Sequence, residues 1–178
     1  GIAARIAGLL GCPRVQLLQD TVLVKQPGRA RVEWHQDHTY MGFLDPPAAV
    51  SVRLALNGCT RESGCLRVLD GSHLDGPRGS LRPLISHEVS DDSELLPEGW
   101  EERVVEIELE PGDASVHHSL TFHGSLQNRS PGPRKTLIAR LFDARARLVV
   151  ERLPSPEWRA WFPTDAQGHL CGPRFPLL

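Results

Sequence analysis

Beyond residue 13 the chain is cut into short β-patterned runs, and most of them end at a turn rich in Gly, Pro, Asn or Asp. RVVEIELEPGD, residues 103–113, shows the pattern most clearly. Val105, Ile107 and Leu109 alternate with Glu106, Glu108 and Glu110 before a Pro-Gly-Asp turn. Side chains in a strand alternate faces, so this spacing predicts a half-buried strand. VQLLQ, TVLVKQPG, RVEWHQDHTYMGF, VSVRLALNGC, CLRVLDGSH, ASVHHSLTFHGS and KTLIARLF also read as strands. Only IAARIAGLL, residues 2–10, has helical spacing, through Ile2, Ile6 and Leu9, with Gly11 and Pro13 as stop signals. Residues 74–100 are rich in Pro, Gly, Ser and acids and read as a long excursion. Many short strands with few helices between them predict an antiparallel sandwich or jelly roll.

With 178 residues and 40% hydrophobic content, the chain suits one domain over 1–178. It begins at Gly1, and an upstream helical segment is expected to be missing. A net charge of -2 gives no electrostatic reason to expect a nucleic acid or an anionic membrane. No apolar run approaches the roughly 20 residues that cross a bilayer. A small-molecule partner is the default. Cys12, Cys59, Cys65 and Cys171 have no CxxC spacing and are too sparse for a disulfide framework, which points to a reducing, cytoplasmic setting. Nothing in the sequence sets an oligomeric state.

WHQDHTY, residues 34–40, carries the first chemistry. On a strand His35 and Asp37 share one face, and Gln36 and His38 share the other. An imidazole and a carboxylate are half of a metal site, or else a surface hydrogen-bonded pair. A third ligand would come from His73, His87, His117, His118, His123 or His169. The cluster in VHHSLTFHGS is favoured because it lies on a predicted strand followed closely by Arg134. Two histidines and a carboxylate leave three positions open on an iron, as an oxygen-activating ferrous site requires. A nearby arginine could hold the carboxylate of an anionic cosubstrate bidentately.

Three blocks make the chain resemble the phytanoyl-CoA dioxygenase family of ferrous iron and 2-oxoglutarate dependent oxygenases. They are WHQD at 34–37, ESGCLRVLDGSH at 62–73 and PGDASVHHSLTFHGSLQNRSPGPRKT at 111–136. HxD by itself is weak; HGS with an arginine eleven residues after its histidine is more specific. The resemblance implies a mainly β, double-stranded β-helix (jelly roll, cupin-like) with a few flanking helices. It implies Fe(II) on His35, Asp37 and His123, with 2-oxoglutarate and O2 as cosubstrates. Arg134 would pair with the distal carboxylate of 2-oxoglutarate, with Ser125 as a further contact and Gln36 and Lys25 at pocket positions. The implied reaction is hydroxylation of an unactivated C–H bond with release of succinate and CO2. Desaturation, cyclisation or epimerisation could use the same site, and a non-catalytic cupin-like metal-binding module is the alternative from another class.

Many relatives carry a tryptophan sixteen residues after the aspartate, where this chain has Arg53. Arg140 lies six residues after Arg134 and on a regular strand would share its face. Facing inward, Arg53 and Arg140 would suit an anionic substrate; facing outward, they would be solvated. Strict alternation puts His117 on the His123 face, unless SLT breaks the strand.

Overall fold

The computed structural model describes residues 1–28, 31–79, 85–86 and 99–178. Most of the predicted excursion over 74–100 lies outside the described residues, as does His87. The described elements run α1 (Ile2–Leu10), β1 (Val15–Lys25), β2 (Arg31–His35), α2 (His38–Met41), β3 (Leu44–Asp45) and β4 (Ala49–Ala55). They continue with β5 (Leu66–Leu69), β6 (Ile85–Ser86), β7 (Val104–Ile107), β8 (Ala114–His118), β9 (His123–Ser125), β10 (Arg134–Asp143) and β11 (Arg147–Leu148). One sheet has the order β1-β10-β4-β8 and the other β6-β2-β9-β5-β7, with β11 and β3 as a small separate pair. The pairs are antiparallel, and the architecture is the expected jelly roll.

Alternation in the four-stranded sheet sorts its residues onto two chemically different faces. Val50, Val52 and Leu141 pack with Val15 against Ile6 and Ala7 of α1. Burying such side chains contributes roughly 1.5–3 kcal/mol each. The other face therefore carries Ser51, Arg53, Arg134, Thr136, Ile138, Arg140, Ser115 and His117. The register confirms it, setting Lys25 opposite Arg134, Arg140 opposite Ser51, Ser51 opposite His117, and Arg53 opposite Ser115. A second cluster, with Phe43, Leu44, Phe142 and Leu148, secures the C-terminal residues Leu170 and Phe175. Trp34, Leu69 and Phe122 form a third.

Several predicted elements differ. The helix buries Ile6 and Ala7, whereas Ile2 and Leu9 are exposed, so its packed face is rotated from the expected one. VQLLQ and TVLVK form one strand, because β10 pairs along both with a register shift between Leu17 and Gln19. RVEWHQDHTYMGF ends as a strand at His35 and turns into α2. ASVHHSLTFHGS is two strands in different sheets, separated by a turn in which the Thr121 N–H donates to the His118 carbonyl. In β7 the expected face is reversed at its start. Val105 is exposed, while Val104 packs beside Trp34, Leu69 and Phe122.

Candidate active site

The five-stranded sheet supplies two histidines. His35 ends β2 and stands opposite His123, the first residue of β9, with a register shift between Val32 and His35. Their rings lie 4.2 Å apart. Each ring uses Nδ1 on a carbonyl of its own chain segment, His35 on Glu33 at 2.7 Å and His123 on Thr121 at 2.9 Å. That arrangement fixes the tautomer and leaves both Nε2 atoms as ligands. Each Nε2 lies 3.8 Å from Oδ1 of Asp37. Ligand atoms of His35, Asp37 and His123 all fall within 4.8 Å of one another and could hold a metal ion.

Asp37 reaches this point from a turn. It caps the short helix α2, so a tight bend after His35, and not strand alternation, brings the two ligands together. Gln36 anchors that bend. Its Oε1 accepts from the backbone N–H groups of Arg78 and Gly79, and its Nε2 donates to the carbonyls of Gly76 and Leu120. Both its polar atoms are thus committed to backbone partners. The Gln36 side chain tethers the bend to the segment around residues 76–79 and to Leu120.

Side chains from the four-stranded sheet hold Asp37 from the other side. The Ser51 hydroxyl donates to Oδ2, Nη2 of Arg140 lies 3.3 Å from Oδ1, and Nε2 of His117 lies 3.6 Å from Oδ2. Burial pushes the Asp37 carboxyl up, but His117 and the charges of His123 and Arg140 outweigh it and hold it below the usual carboxylate range. Burial lowers the pKa values of His35, His117 and His123, favouring the neutral rings that ligate metals. Sequence reasoning missed Ser51. It lies two residues from Arg53 on β4, so alternation could have found it once Arg53 was placed inward. His117 faces inward as strict alternation predicts. His118 instead lies beside His73, with rings 6.1 Å apart, and His169 contacts Asp165.

Deeper in the same space, Lys25 and Arg134 stand opposite each other on β1 and β10. Nζ of Lys25 donates to Oγ of Ser125 at 2.8 Å, which joins β9 to this group. Arg134 is 1% exposed, yet its Nε and Nη2 have no hydrogen-bond partner among the described residues. Thr136 Oγ1 and Ser115 Oγ are buried and likewise unsatisfied among the described residues. Buried polar groups are normally paired, so this row fits an anion with several acceptor oxygens. Arg53 is also buried, with its pKa pulled down to about 10 by desolvation and then by the charge of Arg134. Arg53 and Arg140 both lie on the inner face. A cavity of about 790 Å³ opens above His35, Asp37 and Arg140, walled by Met41, Phe43, Phe162 and Phe175.

A jelly roll with two histidines and a carboxylate converging beside a buried, incompletely satisfied arginine defines a non-haem metal oxygenase architecture. The donor set fits ferrous iron, and the unsatisfied row beside Arg134 fits 2-oxoglutarate. The family model for phytanoyl-CoA dioxygenase matches residues 1–136. The chain belongs to the phytanoyl-CoA dioxygenase family. It is 32% identical over 132 residues to phytanoyl-CoA dioxygenase 1 of Oryza sativa subsp. japonica, covering 73% of this chain and 46% of that protein. The chain thus spans about half the length of the curated relatives it matches. Among solved structures it is similar to SnoK, a non-heme alpha ketoglutarate dependent carbocyclase from nogalamycin biosynthesis. Identity is 25%, TM-score 0.74 and coverage 99% of this chain and 67% of SnoK. It is also similar to the epimerase SnoN in complex with Fe3+, alpha ketoglutarate and nogalamycin RO, at 25% identity and TM-score 0.71, covering 99% and 69% of the two chains.

Proposed function

We propose that the protein is an Fe(II)- and 2-oxoglutarate-dependent dioxygenase that hydroxylates an unactivated C–H bond of a small organic molecule. The observation that carries this reading is the convergence of His35, Asp37 and His123 within 4.8 Å, next to a buried Arg134 whose Nε and Nη2 lack a hydrogen-bond partner among the described residues. When bound, iron and 2-oxoglutarate supply an oxidant from dioxygen, with succinate and carbon dioxide as coproducts. His35 and His123 present neutral Nε2 atoms to the metal, and Asp37 presents a carboxylate steadied by Ser51 and Arg140. Arg134 takes the distal carboxylate of 2-oxoglutarate, and Lys25 and Ser125 complete that end. Gln36 acts by holding the turn that aims Asp37. Arg140 and Arg53 favour an anionic substrate. The apolar walls above the metal keep water from the reacting carbon, so that the substrate and not solvent meets the oxidant.

A second reading has a specific observation behind it. The carbocyclase SnoK and the epimerase SnoN share this architecture, so cyclisation, epimerisation or desaturation could proceed from the same hydrogen abstraction. The four cysteines are free, which supports a reducing compartment such as the cytoplasm. No helix among the described residues is long and apolar enough to cross a membrane.

Anaerobic addition of ferrous iron and 2-oxoglutarate should produce a weak visible charge-transfer band that His123→Ala abolishes. Succinate release with candidate substrates then reads turnover. The absence of any band in the wild-type protein would replace the enzyme by a non-catalytic metal-binding module.

A further inference from the structure

One wall of the cavity is built by Trp158, Trp161, Phe162, Arg174 and Phe175, beyond the 1–136 span that the family model matches. Three rings form a ladder there. Trp158 stacks on Phe162 with centroids 6.0 Å apart and planes 21° from parallel, and Phe162 stacks on Phe175 at 5.8 Å and 22°. The ladder runs from the partly exposed Trp158 down to Phe175, which is 5% exposed. All three rings line the cavity and give it an aromatic wall against which a flat ring can pack, with an aromatic contact adding to simple area burial.

The floor has an excess of positive charge. Lys25, Arg53, Arg134 and Arg140 lie on one face of the four-stranded sheet. Asp37 faces them from the metal side, and Asp20 and Asp37 line the open cavity together with Arg140 and Arg174. Ferrous iron and doubly charged 2-oxoglutarate would cancel each other and leave the excess in place. Lys25 and Arg134 sit at the cosubstrate end, whereas Arg140 lines the open cavity beside Asp37. Its contacts, to Asp37 and to Oε1 of Gln19, are both 3.3 Å, and its side chain is 21% exposed, so an edge of the guanidinium remains open to a ligand. A second cation, Arg174, sits at the rim 5.0 Å over the Trp161 ring.

We propose that the substrate is a planar, ring-bearing acid whose ring lies against Trp158, Phe162 and Phe175 and whose anionic group is held by Arg140. This rests on the dioxygenase reading, since it places the acid over the proposed metal. The cavity of about 790 Å³ admits a fused tricyclic ring with room to spare. Arg140 then both steadies Asp37 and selects the substrate.

Binding can be read without turnover, from the fluorescence anisotropy of anthracene-2-carboxylate titrated anaerobically into the full chain loaded with ferrous iron and 2-oxoglutarate. The acid should bind at least tenfold tighter than the neutral anthracene-2-carboxamide. Arg140→Gln should erase that difference while leaving amide affinity in place, Arg140→Lys should keep part of it, and Arg174→Gln should leave it unchanged. Trp158→Leu should weaken acid and amide alike, by about tenfold. Equal binding of acid and amide to the wild-type protein would overturn the proposal, as would displacement of the probe by straight-chain dodecanoate at matched concentration. A gap that followed Arg174 instead would move the anion to the rim and overturn the Arg140 assignment. The charge-transfer band, recorded before the probe is added, reports the cofactor site separately. A normal band without selective probe binding sinks only this inference, whereas no band sinks the reading beneath it.

Discussion

His35 and His123 stand directly opposite each other on antiparallel strands, and both turn Nε2 toward Oδ1 of Asp37 at the same 3.8 Å. The equality follows from matched restraints, since each Nδ1 is used on a carbonyl two residues earlier. The residue between the ligand His123 and Ser125 is Gly124, and its lack of a side chain lets β9 lie close to β2. A Cβ added there would meet the Val32 carbonyl oxygen at 2.8 Å.

Gly124→Ala should therefore push the two strands apart and separate the two histidines. We expect a loss of about 1–3 kcal/mol in stability, the usual range for overpacking. Metal affinity should fall more than the stability loss alone explains. Urea unfolding with a metal titration on the folded fraction checks both. Unchanged metal affinity would show that the strand spacing does not set the site.

Arg134 is a buried cation whose Nε and Nη2 have no partner among the described residues. A buried charge whose hydrogen-bonding groups are not all satisfied carries a desolvation cost that an apolar side chain of similar volume does not. Arg134→Met should raise the melting temperature of the metal-free protein and still weaken 2-oxoglutarate binding by roughly 30-fold or more, equivalent to about 2 kcal/mol. Calorimetry and a 2-oxoglutarate titration of the charge-transfer band give the two numbers. A variant destabilised and unimpaired in binding would contradict the assignment.

Gln36 predicts the opposite pairing of effects. Gln36→Leu leaves the N–H groups of Arg78 and Gly79 and the carbonyls of Gly76 and Leu120 without their partner. Unsatisfied groups cost about 1–3 kcal/mol each, and these four are only partly buried, so the low end applies and the loss should reach about 4 kcal/mol. The affinity of the folded fraction for 2-oxoglutarate should stay within about threefold, because the side chain holds backbone and not cosubstrate. A selective loss of cosubstrate affinity would return Gln36 to the pocket.

The pH dependence has a definite sign. His35, His117 and His123 have folded-state pKa values below the ordinary 6.5, chiefly through burial. Below pH 6.5 the unfolded chain takes up protons that the folded chain refuses, so stability falls as the pH drops. The slope is at most about 1.4 kcal/mol per pH unit for each histidine. Asp37 works in the same direction at lower pH, because its folded pKa also lies below the ordinary 3.8. Its contribution is present above that value and lost as the pH falls toward the depressed one. Urea midpoints of the metal-free protein from about pH 7.5 to about pH 5 should decline steadily below 6.5. A flat profile would mean that the three rings are not excluded from protonation.

Much of the β class was legible because alternation is local. The strand runs around Val50, Val105 and Arg134 each carry their pattern in a few residues, and the order of the three motif blocks pointed to His35, Asp37, His123 and Arg134. The breaks were less legible. Nothing in WHQD says that the strand stops at His35, because the stop depends on backbone groups of Gly76, Gly79 and Leu120 that Gln36 meets only in the folded chain. Likewise, the division of ASVHHSLTFHGS between two sheets follows from pairing, His117 with Ser51 and His123 with His35 and Val68.

The sequence by itself determined which residue types can make a metal and anion site and the order in which they occur, since those are properties of residues and their near neighbours. Only the tertiary structure decided that Arg53 and Arg140 face inward, that Ser51 and His117 press on Asp37, and that Trp158, Phe162 and Phe175 wall the cavity. Those outcomes depend on register between strands far apart in the chain. A shift of one residue in that register would send every one of the strand-borne side chains to the opposite face.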